Sequence, residues 1–270
     1  MQIVSAQNPK IKDLLALQDK PRLRREKALF TVEGQRELSH CMEAGFEADT
    51  VFVCPEIAGD FRAPQGAKVF EVSRAVYEKI ACRGGTEGVV AEVKARPHSL
   101  EDLPQRDNPL IVVLEGVEKP GNLGAVLRSA DAAGADAVII CDPLTDIYNP
   151  NLIRASIGAV FTVPVAVCTS EEAIAYLKER GIKIHTAQLQ DSREYYDTPM
   201  TGPVAIVMGT EATGLTSVWR EAADSHIRIP MLGRLDSLNV SVSAAILLYE
   251  AVRQRMAGKN TVISSDGCRA

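Results

Sequence analysis

Glycines and polar residues collect in three turns of this chain, and a helix is predicted after each. The turns span residues 115–124, 208–215 and 229–239. Arg128 lies about one helical turn beyond the first, and Glu211 lies between the two glycines of the second. Glycine lets the backbone approach a flat ligand closely, and the first N–H groups of a helix have no partner within it. The three turns therefore indicate a ligand site.

Arg128 is the residue of the first turn region that could act on a charged ligand. It lies four residues past Gly124, so its side chain can reach back over the turn. A planar guanidinium that is always charged suits a phosphate or a ribose oxygen. The alternative is a structural salt bridge from Arg128 to Asp131 or Glu118.

The first turn does not match the two common phosphate-binding patterns. Gly116 and Gly121 have the spacing of a P-loop, but Asn122 and Leu123 stand where Lys and Ser or Thr would be needed. The turn also lacks Gly-x-Gly-x-x-Gly, although Asp142 lies where a Rossmann unit places its ribose-binding acid. A Rossmann dinucleotide site remains as an alternative.

The third turn separates a short strand from a long apolar helix. The strand 226–229 is stopped by Pro230, and Ser237 is expected to cap the helix, with Asn239 in its first turn. Nearly every side chain in 238–248 is apolar or small, which predicts a helix that is buried all round. A polar entrance to such a helix indicates a site; a capped core helix is the alternative.

Composition is that of an ordinary soluble protein with one large or two smaller domains. The 270 residues are 46% hydrophobic and 24% charged. The six cysteines are scattered without Cys-x-x-Cys, which argues for a reducing compartment and against a zinc site or a disulfide framework. We therefore expect no metal. Because there is no long apolar span, we also expect a cytoplasmic protein with no membrane segment.

Positive charge is concentrated near the beginning of the chain, although the net charge is −5. Residues 9–27 hold seven basic residues against three acids, which could form a face for a polyanion. A solvated helix with a charged loop is the alternative. The candidate RNA-binding residues in this stretch are Lys10, Lys12, Arg22, Arg24 and Arg25.

The pattern of strands and helices predicts two domains. Alternating short elements in 1–95 predict a small α/β sandwich, and 96–108 reads as a linker with two prolines. In 109–258, near-continuous apolar strands alternate with helices, which predicts an α/β domain with a parallel sheet covered on both faces. Residues 259–270 are expected to be a disordered tail. The predicted strands of the second domain are 110–114, 137–141, 162–167, 183–187, 204–208 and 226–229, and its helices are 124–133, 151–159, 170–180 and 216–223.

Four segments of the second domain resemble the motifs of a known family. Residues 122–130, then 209–215, then 229–231 with 237–241 resemble in order the three motifs of the SpoU/TrmH RNA 2′-O-ribose methyltransferases of the SPOUT superfamily. Residues 1–95 resemble the L30e-like substrate-binding domain of that family, on the segments 5–12, 30–34 and 87–91, with Glu87 where Gln is usual.

The resemblance implies a fold, a cofactor and an assembly. The fold would contain a deep trefoil knot, and the active site would lie at the interface of a homodimer. S-adenosylmethionine would lie bent between the second and third motif turns. The residues implied to contact this cofactor are Leu189, Gly209, Gly214, Ile229, Met231 and Leu238.

The resemblance also implies roles for polar residues. It brings Arg128 to the target ribose oxygen, and because a guanidinium stays protonated, we expect Arg128 to orient the 2′-hydroxyl or a neighbouring phosphate. Asn122, Glu211, Ser237 and Asn239 would hold the nucleotide and the turns. The 2′-hydroxyl distinguishes RNA from DNA, and the basic stretch near the beginning would bind RNA phosphates.

Two further alternatives concern the function. The chain could be a catalytically silent RNA-binding or ribosome-assembly protein on the same fold, although polar residues in all three motifs favour the enzyme. The substrate could be transfer RNA, although the additional domain favours ribosomal RNA, because the minimal tRNA enzymes of the family lack it.

Overall fold

The apolar runs of the sequence become the strands of two sheets in the computed structural model, which describes residues 2–81, 87–210 and 212–266. The strands are β1 (Gln2–Ile3), β2 (Leu29–Glu33), β3 (Ala48–Val53), β4 (Lys68–Val72), β5 (Val89–Lys94), β6 (Leu110–Glu115), β7 (Ala137–Cys141), β8 (Val165–Cys168), β9 (Lys183–Ala187), β10 (Arg193–Glu194), β11 (Val204–Met208) and β12 (Ser225–Arg228). The helices are α1 (Pro9–Asp19), α2 (Pro21–Lys27), α3 (Gln35–Glu43), α4 (Pro55–Ala58), α5 (Arg74–Ile80), α6 (Pro120–Ala133), α7 (Pro150–Ser156), α8 (Ala159–Thr162), α9 (Ser170–Glu179), α10 (Ser217–Ala222) and α11 (Val240–Asp266).

The chain divides into two units, and the first is built from two separate segments. It comprises Met1–Pro97 together with Asp146–Thr162. Its mixed sheet has the order β1-β4-β3-β5-β2, with β5 antiparallel to both of its neighbours. Helices α1 and α5 pack on this sheet through side chains such as Leu14, Tyr77 and Ile80. This is the small α/β unit that the sequence predicts.

Helices α7 and α8 belong to the first unit, which the sequence does not predict. The sequence assigns a helix at 151–159 to the parallel sheet of the second domain. Instead, Phe30 of β2 stacks on Tyr148 with 4.1 Å between ring centroids and on Phe161 with 5.8 Å. Because burying three aromatic rings in one cluster is strongly favourable, residues 146–162 complete the first unit, and the predicted assignment is wrong.

The second unit comprises His98–Thr145 and Val163–Ala270 around a parallel sheet. The order is β10-β12-β9-β11-β6-β7-β8, and all the neighbouring strands are parallel. Every residue of β6, β7 and β11 is buried, as expected of strands covered on both faces. Helix α6 packs against α11, and α9 packs against α10. The predicted α/β parallel-sheet fold is confirmed; the trefoil knot stays a prediction.

Capping residues define where two of these helices begin. Thr169 and Glu172 form a capping box at the start of α9, since each side chain accepts a hydrogen bond from the backbone N–H of the other. The cap expected at Ser237 is wrong. Helix α11 begins at Val240, and its cap is Asn239, whose Oδ1 accepts a hydrogen bond from the Ser241 N–H at 2.9 Å.

Helix α11 also differs from the prediction in its burial and its length. Val242, Tyr249 and Met256 recur every seven residues and are 46%, 51% and 63% exposed, so the helix is not buried all round. Its backbone is helical to Asp266, within the range 259–270 for which the sequence predicts a disordered tail. Residues 267–270 lie outside the described residues. None of the helices in the described ranges combines the length and apolarity that a membrane crossing needs.

Candidate functional site

A cavity of about 350 Å³ opens at the carboxyl ends of β9, β11 and β12. Ligands bind at this edge of parallel α/β sheets, and the volume lies in the range of roughly 300–1,000 Å³ that is typical of small-molecule pockets. The turns at 187–190, 209–215 and 229–238 form its walls. The six residues that the sequence predicts for the cofactor all line this one cavity: Leu189, Gly209, Gly214, Ile229, Met231 and Leu238.

The second motif turn lines the cavity with its backbone. Thr210 and Gly214 donate backbone hydrogen bonds to each other's carbonyl groups, at 3.2 and 3.1 Å. A Cβ atom on Gly209 would lie 2.3 Å from the carbonyl oxygen of Gly214, so only glycine fits there. Gly214 itself has a φ of +69°, a conformation that favours glycine. Glu211, predicted for this turn, lies outside the described residues.

A buried carboxylate at the end of β6 binds the residue that follows the second motif turn. Glu115 accepts hydrogen bonds from the backbone N–H of Thr216 at 2.9 Å and from its hydroxyl at 2.6 Å. Ser170 links the same cluster to Asp142 at 2.6 Å and accepts a hydrogen bond from the Trp219 indole at 2.9 Å. Since Thr216 directly follows the turn, Glu115 fixes its far end. Sequence reasoning missed this residue.

The first and third motifs meet through two asparagines. The Asn239 side chain donates a hydrogen bond from Nδ2 to Oδ1 of Asn122, at 3.1 Å. The contact joins the beginning of α11 to the beginning of α6. Asn122 also lines a smaller cavity of about 90 Å³, which shares Gly209 and Thr210 with the larger one. The structure therefore brings together the two asparagines that the sequence predicts for the site.

Arg128 and Ser237 differ in their placement. Ser237 is exposed and lines the larger cavity, where its hydroxyl donates to Asp236 at 3.4 Å. Arg128 is exposed on α6 and does not line either of these cavities. It makes no hydrogen bond or ion pair in the part of the chain that the structure describes, so the alternative of a salt bridge to Asp131 or Glu118 is wrong.

Arg24 is not available to an RNA phosphate, contrary to the prediction. Its side chain is only 3% exposed, and its Nε donates to the Asp146 carboxylate at 2.6 Å. One terminal nitrogen also donates to the carbonyl groups of Leu17 and Gln18, both at 2.7 Å. Arg24 is therefore a structural residue that joins the two segments of the first unit.

The other candidate basic residues remain on the surface. They are Lys10, Lys12, Arg22 and Arg25. Arg22 pairs with Glu26 at 2.6 Å, and the Lys10 ammonium lies over the ring of Phe70, 4.6 Å from its centroid. Their role in RNA binding stays a prediction.

Metal ligands and disulfides are absent from the described ranges. No group of three or more His, Cys, Asp or Glu side chains there could hold a metal ion. Cys41, Cys54, Cys141 and Cys168 are free thiols. Burial raises the pKa of Cys41 to about 12, so this thiol is not ionised at neutral pH.

Comparison with known protein families finds two matches along the chain. Residues 109–249 match the SpoU rRNA Methylase family, and residues 8–91 match the MRM3-like substrate binding domain. The first match contains all three motif turns, and the second contains most of the first unit.

Relatives match over most of the chain. The 23S rRNA (guanosine-2′-O-)-methyltransferase RlmB of Vibrio parahaemolyticus is 38% identical over 72% of this chain and 81% of its own. A crystal structure of an RNA 2′-O ribose methyltransferase is 39% identical, with a TM-score of 0.82 over 95% of this chain and 100% of its own. An AdoMet-bound rRNA methyltransferase from Sinorhizobium meliloti is 31% identical, with a TM-score of 0.85 over 94% and 97%. The family match covers the half of the chain that carries the three motifs, and these relatives match most of its length. The chain therefore belongs to the SpoU rRNA methylase family of SpoU/TrmH RNA 2′-O-methyltransferases.

Proposed function

We propose that this protein transfers a methyl group from S-adenosylmethionine to the 2′-hydroxyl of a ribose in ribosomal RNA. The observation that carries the proposal is the 350 Å³ cavity at the sheet edge, which gathers the six predicted cofactor residues from three separate turns. The relatives that are named as 23S rRNA methyltransferases support ribosomal RNA as the substrate, and the proposed place of action is then the cytoplasm.

The cavity fits the proposed cofactor. Its walls combine apolar side chains, such as Leu215 and Ile229, with the backbone of Gly209 and Gly214. When bound, S-adenosylmethionine supplies an activated methyl group on a sulfonium, so the protein has only to hold and align the reactants. The chain needs no metal for this role.

Polar residues of the three motifs would position the RNA. Arg128 makes no hydrogen bond or ion pair within residues 2–81, 87–210 and 212–266. We assign its guanidinium to the orientation of the 2′-hydroxyl or the adjacent phosphate, and its positive charge favours loss of the hydroxyl proton. The Asn122–Asn239 hydrogen bond would keep the first and third motifs in register. Glu211 and Ser237 are proposed to contact the nucleotide or the turns.

We propose that the active form is a homodimer. The exposed apolar side of α11, formed by Val242, Tyr249 and Met256, supports this assembly, because such stripes are typical of helix packing between subunits. Arg128 also has no partner among the residues that the structure describes, which supports a site completed by the second copy.

The variant Arg128→Ala tests the function. We expect it to bind S-adenosylmethionine with wild-type affinity in calorimetry but to transfer no labelled methyl group to ribosomal RNA. Arg106→Ala is the matched control, since Arg106 is an exposed arginine outside the motifs that pairs with Asp136 at 3.7 Å. Methylation by Arg128→Ala at the wild-type rate would contradict the role of Arg128.

Mapping of ribose methylation in a deletion strain tests the substrate. Loss of one methyl group from 23S rRNA would support the proposal, and loss from transfer RNA would support the alternative substrate. A third outcome would indicate a silent binding protein: the deletion strain keeps all its ribose methyl groups, and the purified wild-type protein binds S-adenosylmethionine but methylates no RNA.

A further inference from the structure

Two cysteines lie side by side at the carboxyl ends of β7 and β8. Cys141 is the last residue of β7, Cys168 is the last residue of β8, and the two are registered partners across these parallel strands. Registered partners point their side chains to the same face of a sheet, and both cysteines pack in one apolar cluster with Ala173 of α9. Both are free thiols. The pair is therefore a dithiol that no step of the proposed reaction uses.

The spacing of neighbouring strands suits a disulfide at this position. Such strands lie about 4.8 Å apart, and the Cα atoms of bonded cysteines are separated by about 4.4–6.8 Å. A disulfide also brings the two Cβ atoms to about 3.5–4.5 Å, so the strand ends have to approach each other slightly. Because β8 is at the end of the sheet order, it has a neighbouring strand on one side alone within the described ranges, and it can move.

The two thiols differ in their access to solvent and in their acidity. Cys141 is fully buried, whereas Cys168 is partly exposed. A hydrogen bond between the two thiols raises the pKa of Cys141, and burial and the carboxylates of Asp142 and Glu115 raise it further. Cys141 therefore stays protonated, and a soluble oxidant meets Cys168 first.

Oxidation of the pair by hydrogen peroxide takes two steps. The sulfur of Cys168 attacks one peroxide oxygen, which breaks the O–O bond; the sulfur gives up two electrons to the peroxide and becomes a sulfenic acid, and water leaves. The sulfur of Cys141 then attacks the sulfenic sulfur, so that the S–S bond forms and the S–O bond breaks. The hydroxyl group leaves with the Cys141 proton as a second water molecule. A small thiol reductant reverses the reaction by exchange.

The strand ends that carry the pair also carry a polar network. Asp142 directly follows β7 and accepts hydrogen bonds from the backbone N–H of Ser170 at 3.1 Å and from its hydroxyl at 2.6 Å. Ser170 lies two residues beyond Cys168, and its hydroxyl is 3.3 Å from Glu115. Glu115 in turn binds Thr216, directly after the second motif turn. A shift of β8 towards β7 therefore disturbs the network that leads to the cavity.

We propose that Cys141 and Cys168 are a redox modification site: hydrogen peroxide converts them into a reversible disulfide, and this disulfide weakens ligand binding in the 350 Å³ cavity. The disulfide itself is independent of the proposed function, whereas its effect rests on that function, because it requires S-adenosylmethionine in the cavity. Reversible disulfides in reducing compartments typically act as redox sensors. The protein then binds its methyl donor less tightly after exposure to peroxide.

Peptide mapping by mass spectrometry tests the disulfide. The reduced protein carries Cys82→Ser and Cys268→Ser, so that no other thiol competes with the four free thiols of the described ranges, and it is treated with hydrogen peroxide. We expect a disulfide between Cys141 and Cys168, which dithiothreitol should remove. In Cys141→Ala, Cys168 should remain a sulfenic acid that dimedone labels. Cys41→Ala is the matched control: it removes a buried thiol of the first unit and should leave the disulfide unchanged.

Fluorescence and calorimetry test the effect on the cavity. Trp219 is the one tryptophan of the chain, and its indole donates to the Ser170 hydroxyl at 2.9 Å, so its emission reports the network without any ligand. On oxidation we expect this emission to change and the affinity for S-adenosylhomocysteine to fall about fivefold to tenfold, the effect of one lost hydrogen bond. Dithiothreitol should restore both, and Cys168→Ser should show neither change. Melting curves of the reduced variants report whether they fold.

Three results separate the parts of the proposal. If the folded protein forms no disulfide between Cys141 and Cys168 in peroxide, the modification site is wrong. If the disulfide forms but leaves the affinity for S-adenosylhomocysteine unchanged, its effect on the cavity is wrong. Failure of the reduced protein to bind S-adenosylhomocysteine would contradict the proposed function instead, and the mass spectrum and the Trp219 emission would still test the dithiol.

Discussion

Replacement of Glu115 by glutamine should loosen the cofactor cavity without creating a hole in the core. The two carboxylate oxygens of Glu115 accept hydrogen bonds from the N–H and the hydroxyl of Thr216. An amide retains one acceptor for the N–H of Thr216, and its NH₂ group can donate to the Thr216 hydroxyl, since a hydroxyl also accepts. Both hydrogen bonds to a charged group then become neutral, which together costs about 2–3 kcal/mol.

The melting temperature and the ligand affinity both report this change. At roughly 2–4 °C for each kcal/mol, Glu115→Gln should melt about 5–10 °C below the wild type. The affinity for S-adenosylhomocysteine should fall in calorimetry, because Thr216 holds the end of the turn that lines the cavity. Glu171→Gln is the control: its carboxylate is exposed in the first turn of α9, so its loss should cost less than about 1 kcal/mol.

Two results would refute the reasoning. If the melting temperatures of Glu115→Gln and Glu171→Gln are the same, the buried carboxylate does not stabilise the second unit. If Glu115→Gln melts early but binds S-adenosylhomocysteine as the wild type does, the carboxylate stabilises the fold without positioning the turn.

Three other substitutions test the site and the two units. Gly209→Ala should abolish binding of S-adenosylhomocysteine in calorimetry, because its Cβ would lie 2.3 Å from a backbone carbonyl oxygen; wild-type affinity would contradict this geometry. Burial lowers the pKa of His185, so the stability that its neutral form provides is present above its unfolded pKa of about 6.5 and is lost as the pH falls below it. His185→Asn should therefore show a smaller decrease in melting temperature than the wild type between pH 7 and pH 5, and parallel curves would refute the assignment. Arg24→Met should lower the free energy of unfolding by about 3–5 kcal/mol in urea titration by leaving the Asp146 carboxylate without its cation, whereas the exposed Arg25→Ala should change it by less than about 0.5 kcal/mol.

The sheet of the second unit was predictable because its strands are buried on both faces. Three predicted strands, 137–141, 183–187 and 204–208, have the bounds of the structure. Strands 137–141 and 204–208 are continuous apolar runs, so that local sequence alone locates them. The glycine turns that follow them were predictable for a related reason, since only a few residue types allow those backbone conformations.

Long-range contacts explain what the sequence did not reveal. The helix predicted at 151–159 shows its periodicity locally, but its unit is decided by contacts between Phe30 and the rings of Tyr148 and Phe161, which lie more than a hundred residues away. From sequence alone, Arg24 is one of several basic residues in the stretch 9–27. Its structural role is evident only from its ion pair with Asp146. Neither partner could be identified from spacing.

The residue missed at the site has the same cause. Glu115 is one polar residue at the end of an apolar strand, and its role depends on Thr216, which lies 101 residues later. The only sequence signal for Glu115 was its place at the end of a predicted strand.

The divided first unit has a consequence for how the protein is made. A ribosome releases Phe30 long before it releases Phe161, yet both rings belong to one core cluster. The ribosome therefore synthesises β6, α6 and β7 while the first unit is still incomplete. Synthesis of the two units is therefore interleaved rather than consecutive. The first unit can complete its core only after residues 146–162 have been synthesised.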